Sequence, residues 1–359
     1  MNPDLAFWTR TLATLALETA AVLTLAAIIA PRLPAARHQR TAWLAAFWAL
    51  WLVTASELTG LRLPGTTTPP SHPQPTPPAL TPNTTTPTPP HPSASQPPPT
   101  APTPTPTPTH PAARPAKPHA TWWPGFLWLA GSAATLAWRT RNHLRLASLH
   151  HHHAHPAPAA WSARTRELAE HLGIPQVTTR VLPGLKSPIA FGLLSPTITL
   201  PVDFSDRFDA PQQDAILLHE LAHLARRDPL ALLLADITSA LLWWHPGIAW
   251  ARRQLVATME SAADEASSLI PDGPARLAES LLRLGHDLTT PAPTRALGAA
   301  GPGPRSQLAR RIHALIANPT PWHPTNPVAR SLPILAASCA ALAVALPAWP
   351  GTPRVPLAT

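Results

Sequence analysis

The sequence has no tyrosine, one cysteine and little charge: Asp, Glu, Lys and Arg together make up 13% of 359 residues. The lone Cys339 excludes an internal disulfide framework and any zinc site built on several thiolates. Scarce charge beside 14 Trp suits a membrane protein, because indole rings favour the bilayer interface. Acidic groups are the scarcer sign, leaving a formal charge of +9. Such a charge can mark a nucleic-acid binder. Here the arginines cluster beside apolar segments, with no compact basic domain and no nucleic-acid motif. Lipid headgroups and topology account for the charge better, and no direct nucleic-acid binding is expected.

Residues 7–30 form an apolar run long enough to cross a bilayer. Glu18 in its middle and a second apolar run at 41–59 favour a retained anchor over a cleaved signal peptide. The loop between the runs carries Arg32, Arg37 and Arg40. Residues 64–118 are Pro, Thr and Ser at low complexity and hold most of the 51 prolines. That segment cannot pack a core and reads as an extended, disordered linker. A third apolar run, 121–138, is followed by Arg139, Arg141 and Arg145, and a fourth spans 332–348. The positive-inside rule puts the arginine flanks in the cytoplasm and the Pro/Thr linker outside, against a weak vote from Arg10. The expected plan is two spans in 1–63, the linker in 64–120, a third span in 121–139, a cytoplasmic domain in 140–330, and a fourth span and tail in 331–359.

Within that domain stands His219-Glu220-Leu221-Ala222-His223, an H-E-x-x-H inside a strongly helical run. Residues four apart share a helix face, so both imidazoles can turn to one metal ion. Glu220 is beside them, placed to take a proton from an attacking water. The apolar neighbours Ile216, Leu217, Leu218 and Leu224 argue against two merely solvated histidines, because burying such groups without a partner is costly. Zinc, one ion per chain, is the expected cofactor, and such a site needs a third protein ligand. Glu260 is the candidate, with Asp264 four residues on to fix the tautomer of a ligand histidine. Glu265 reads as a solvated helix end.

Around the motif the reading is an amphipathic helix at 161–172, short strands at 176–182, 189–194 and 197–200, and a capping box Asp209-x-x-Gln212 opening the zinc helix. Asp228-Pro229 reads as a cap and first-turn proline of the next helix. Residues 187–201 offer either an edge strand for an extended substrate or a hairpin that only packs under the helix. Residues 230–244 are apolar nearly all round, and read as a buried helix or a re-entrant hairpin returning to the same side. His245 before Pro246 is a possible oxyanion aid or a structural residue at a helix junction. The tract His150-His151-His152-His153-Ala154-His155 reads as a flexible linker tract that binds metal only adventitiously. Helices at 274–288 and 306–316 read as support.

Three stretches carry a resemblance: 187–201, the run H-E-L-A-H-L-A-R-R-D-P from His219, and Trp243-Trp244-His245-Pro246 followed by the Glu260 helix. Together they resemble the membrane metallopeptidases of the BlaR/MecR type, which are gluzincin-like. The resemblance implies a mainly α membrane protein, with about four transmembrane helices and a cytoplasmic α+β zincin-like domain. It also implies zinc-dependent hydrolysis of a cytoplasmic protein substrate, a BlaI/MecI-like repressor or the enzyme itself, in regulated signalling. The beta-lactam sensors of that family carry a penicillin-binding domain after the last span. This sequence ends at Thr359 without room for one, so beta-lactam sensing by that route is not expected. The alternatives are an HtpX/Ste24-like quality-control protease and a non-catalytic transducer; an intact Glu220 speaks against the latter, since a structural zinc site needs no base.

Overall fold

Two long apolar helices open the chain: α1 (Pro3–Ile29) and α2 (Ala36–Thr59). Pro31 and Pro34 remove amide donors between them, so α1 closes in a 3-10 turn and the chain reverses. The computed structural model describes residues 3–59, 123–174, 176–192, 195–287 and 304–323, all within one compact unit. After the Pro/Thr stretch the chain resumes as α3 (Trp123–His153), and β1 (His155–Pro156) and α4 (Ala159–His171) follow. Next come β2 (Thr178–Val181), β3 (Ile189–Phe191), β4 (Thr197–Leu200) and the short α5 (Phe204–Arg207). The rest is helical: α6 (Ala210–Ala225), α7 (Asp228–Leu241), α8 (Pro246–Asp264), α9 (Gly273–Asp287) and α10 (Pro304–Ala317).

The four strands run in the order β1-β2-β4-β3. β2 and β4 are parallel, with Thr178 opposite Thr197, and β3 pairs antiparallel to β4 with Ala190 opposite Ile198. β3 is therefore an edge strand, and it also packs on α6. Within residues 187–201, the edge position of β3 and its packing on α6 are both found. β2 is shorter than the expected 176–182, β4 has the expected bounds, and β3 ends at Phe191, with residues 193–194 outside the described ones.

The described residues form two hydrophobic cores. One lies between the sheet and α4, α6 and α9, with Ile198, Leu200, Phe204, Leu218, Leu221 and Leu277 at its centre. The other joins α1, α2, α7 and α8 through Phe47, Leu50, Ala235 and Leu255. α6 starts where the sequence signals: the Asp209 carboxylate accepts from the Gln212 amide at 2.9 Å, and the Gln212 side chain reaches back to the Asp209 amide. Its Leu218 and Leu221 are fully buried while His219, Glu220 and His223 line the opposite side. Leu221→Ala should therefore lower stability by about 2–5 kcal/mol, read as a shift in the denaturant midpoint of the detergent-solubilised chain. A shift near zero would mean that the helix does not bury this face.

Several expectations need correction. Among the described residues one helix, Trp8–Arg32, is long and apolar enough to cross a membrane, so four spans are not established. The second run forms α2, which buries Trp43, Phe47 and Leu50 against protein. The third forms part of α3, and the fourth, 332–348, lies outside the described residues. The histidine tract is no loose linker: residues 150–153 are the last turn of α3, His155 is in β1, and the His150 ring meets Phe191 edge-on at 4.3 Å. The 230–244 stretch forms α7 and its terminal turn, and α8 packs back against it.

Candidate metal centre

His219 and His223 leave α6 one turn apart, their ring centroids 4.9 Å from each other and their planes perpendicular. α8 crosses behind them and brings Glu260 to the same point. Glu260 Oε2 is 3.6 Å from His219 Nε2, and Oε1 is 3.8 Å from His223 Nε2. Donors on a tetrahedral zinc with bonds near 2 Å lie about 3.3 Å apart. The spacing and the two-imidazole, one-carboxylate chemistry fit that ion, and the three residues could hold it.

Each imidazole has its far nitrogen on a carboxylate. His223 Nδ1 is 2.7 Å from Asp228 Oδ2. His219 Nδ1 is 3.0 Å from Asp264 Oδ1, an ion-pair contact rather than an aligned hydrogen bond. The contact assigns a proton to Nδ1 of His223, and the Nε2 atoms of both rings face Glu260. Burial opposes charge on His219, but the Asp264 and Glu260 contacts outweigh it and push its pKa up to about 9. A metal ion entering at neutral pH has to displace that proton. Asp228 does not cap α7. The capping position belongs instead to Arg227, in the left-handed region at φ 54°, and the Asp228 side chain faces His223.

Glu220 lines the same cleft, of about 350 Å³. Burial holds its carboxyl above the usual range, against the pull of His219 and His223, and the Ala190 amide of β3 donates to it. A carboxylate raised in this way is a better proton acceptor near neutrality. Ser187, Pro188 and Ile189 form one wall of the cleft, and Leu277, Leu281 and Leu284 of α9 an apolar one. His245 is not among the lining residues: its Nδ1 accepts from the Gly247 amide at 3.2 Å and caps α8. That is a structural task at the far end of α7.

Arg311 was not legible as a site residue. It bonds Asp264 through Nε (2.8 Å) and Nη2 (2.7 Å) and Glu260 through Nη1 (2.9 Å), with Nη2 3.5 Å from His219 Nε2. A signal did exist. Arg311 shares a helix face with Leu308 and Leu315, which pack into the core, so a charge in that stripe needed a buried partner. Asp264 and Glu260 are driven the other way: burial raises them, but Arg311 and the histidines hold both below the usual carboxylate range. Glu265, expected in solvent, is buried and pairs with Arg226 at 2.9 Å.

A family model described as BlaR1 peptidase M56 matches residues 12–315. The regulatory protein BlaR1 of Bacillus licheniformis is 36% identical over 82 residues, which are 23% of this chain and 14% of that protein. The chain thus aligns with only a small share of that relative's length. The family match runs from within α1 into the last turn of α10 and takes in every residue of the cleft. On that extent, the chain belongs to the BlaR1-type M56 peptidase family.

Proposed function

We propose that this chain is an integral-membrane, zinc-dependent metalloendopeptidase that cuts peptide bonds in a cytoplasmic protein. The observation that carries the reading is the convergence of His219, His223 and Glu260 on one point with Glu220 beside them. A bound zinc would supply Lewis acidity, polarising the scissile carbonyl and acidifying a water. The chain's own groups do the rest. Asp228 and Asp264 steady the two imidazoles. Arg311 balances the charge of Asp264 and Glu260. Glu220 takes the proton of the attacking water and delivers it to the leaving amine. The outer edge of β3 offers backbone groups to an extended substrate.

The membrane part of the proposal rests on α1 and on the exposed apolar side chains of α1 and α3, among them Leu17, Ile28, Phe126 and Leu129. Arg40, near the start of α2, is bonded to Asp228 beside the motif. That contact supports a topology with this end of α2 and the site on the same side, the cytoplasmic one by the arginine rule. The substrate we favour is a repressor of the BlaI/MecI kind or the chain itself, because the similar Bacillus licheniformis protein is a regulatory protein.

The test uses the full chain in lipid vesicles, with casein as an unfolded probe substrate and the chain's own band as a second readout. Cleavage should stop on treatment with 1,10-phenanthroline and return on addition of zinc. Cleavage that continues unchanged in the chelator would remove the metal from the reaction.

A further inference from the structure

We infer that Arg40, on α2, is a positioning residue for the metal site: it holds Asp228 in the pose that orients His223. The inference rests on the zinc reading above and adds to it a residue 188 positions away from Asp228 in sequence. Arg40 and Asp228 are each 2% exposed, so both charges are out of water. Arg40 Nε donates to Asp228 Oδ1 at 2.7 Å, and Nη2 lies 2.5 Å from the same oxygen. Nη2 also donates at 2.9 Å to the carbonyl of Arg226, the residue that ends α6. The other carboxylate oxygen, Oδ2, faces His223 Nδ1 at 2.7 Å.

The division of labour matters. Each oxygen of Asp228 has its own partner, so the carboxylate cannot turn to serve one without leaving the other. The guanidinium fork fixes Oδ1 and the end of α6 together, which leaves Oδ2 a single direction, toward the imidazole. An exposed ion pair would have little influence here. A buried one does, because removing the arginine takes the nearest counter-charge from a carboxylate that is shielded from water. Asp228 would then turn to whatever donor or water it can reach, and the His223 ring would lose its fixed tautomer and orientation. A lysine cannot reproduce the fork, since its ammonium is a point charge without the planar pair of donors. The metal site is thus completed by the N-terminal hairpin, and a segment starting at α3 would lack part of it.

The experiment measures zinc affinity of the full chain in bilayer nanodiscs, by competition with a chromophoric chelator. Outer-shell changes of this kind typically weaken metal binding about 10–100-fold, and Arg40→Ala should fall in that range. Arg40→Lys should recover part of the loss. Asp228→Asn should weaken binding comparably, and the double variant Arg40→Ala/Asp228→Asn should be no weaker than Asp228→Asn alone. Arg37→Ala is the control. Arg37 sits on the same helix and its side chain meets Glu265 at 3.4 Å, so the variant loosens the hairpin without touching Asp228 and should keep the parent affinity. Should Arg40→Ala fail to fold, Arg40→Lys and the double variant, which leaves no unpaired buried charge, carry the test. Parent-level affinity in the Arg40 variants, or fully additive losses in the double variant, would overturn the proposal while leaving the metal reading intact. A parent chain that binds no zinc would overturn both.

Discussion

Glu220→Gln is expected to lower peptide cleavage by about 10²–10⁴-fold, the usual worth of a general base, with zinc still bound. The change keeps the size of the side chain and touches none of the three candidate ligands. It also keeps an acceptor for the Ala190 amide, because the Gln carbonyl oxygen can take that bond. What it removes is the basic oxygen. Two other carboxylates line the cleft: Asp228 is committed to Arg40 and His223, and Glu260 to Arg311 and the histidines. The pKa of Glu260 is held below the usual range, which makes it a poor proton acceptor at neutral pH. Cleavage at the parent rate in this variant would show that the base lies elsewhere.

The second large effect is on stability. Arg311→Ala should cost about 3–5 kcal/mol in the metal-free chain, the usual consequence of removing one partner from a buried ion pair. Asp264, with 7% of its side chain exposed, would lose its main counter-charge, and Glu260, 36% exposed, would be screened in part by water. A metal cation beside Glu260 would restore some of the balance, so zinc should raise the melting temperature of this variant more than that of the parent. The pH dependence gives a further check. Asp264 and Glu260 have folded-state values below their unfolded ones, so their stabilisation is present above about pH 4 and fades as pH falls through the folded values. That acid-side loss should be shallower in Arg311→Ala. Equal stability of the variant and the parent without metal would mean that the Arg311 contacts contribute nothing.

The parts of the site legible in the sequence are those set by helical spacing. His219 and His223 share a face of α6, and Glu260 and Asp264 share a face of α8; the register of each helix then aims both pairs at one point. Asp228, Arg311 and Arg40 escape that logic because tertiary packing alone decides what they meet. Asp228 looked like a helix cap, since an Asp before Pro has the same local signature whether it bonds its own backbone or a neighbouring imidazole. Glu265 looked solvated because nothing local announces the buried guanidinium of Arg226. The apolar run of α2 shows the same limit. A Trp-rich helix has one composition whether lipid or protein covers it, and α2 buries Phe47 and Leu50 against protein while Trp48, Trp51 and Leu52 stay exposed. The histidine tract misled in the opposite direction: low-complexity sequence suggested a loose linker, yet α3 continues through it and the His150 ring rests on Phe191.

The central claim, that α6 and α8 together hold one catalytic metal ion, is tested most directly by the metal content of the purified full chain and its ligand variants. The account predicts about one zinc per chain in the parent, with loss of most of it in His219→Ala, His223→Ala and Glu260→Ala, and its retention in Glu220→Gln. Zinc at full occupancy in Glu260→Ala would show that α8 does not supply the third ligand. A parent chain without zinc would contradict the account at its root.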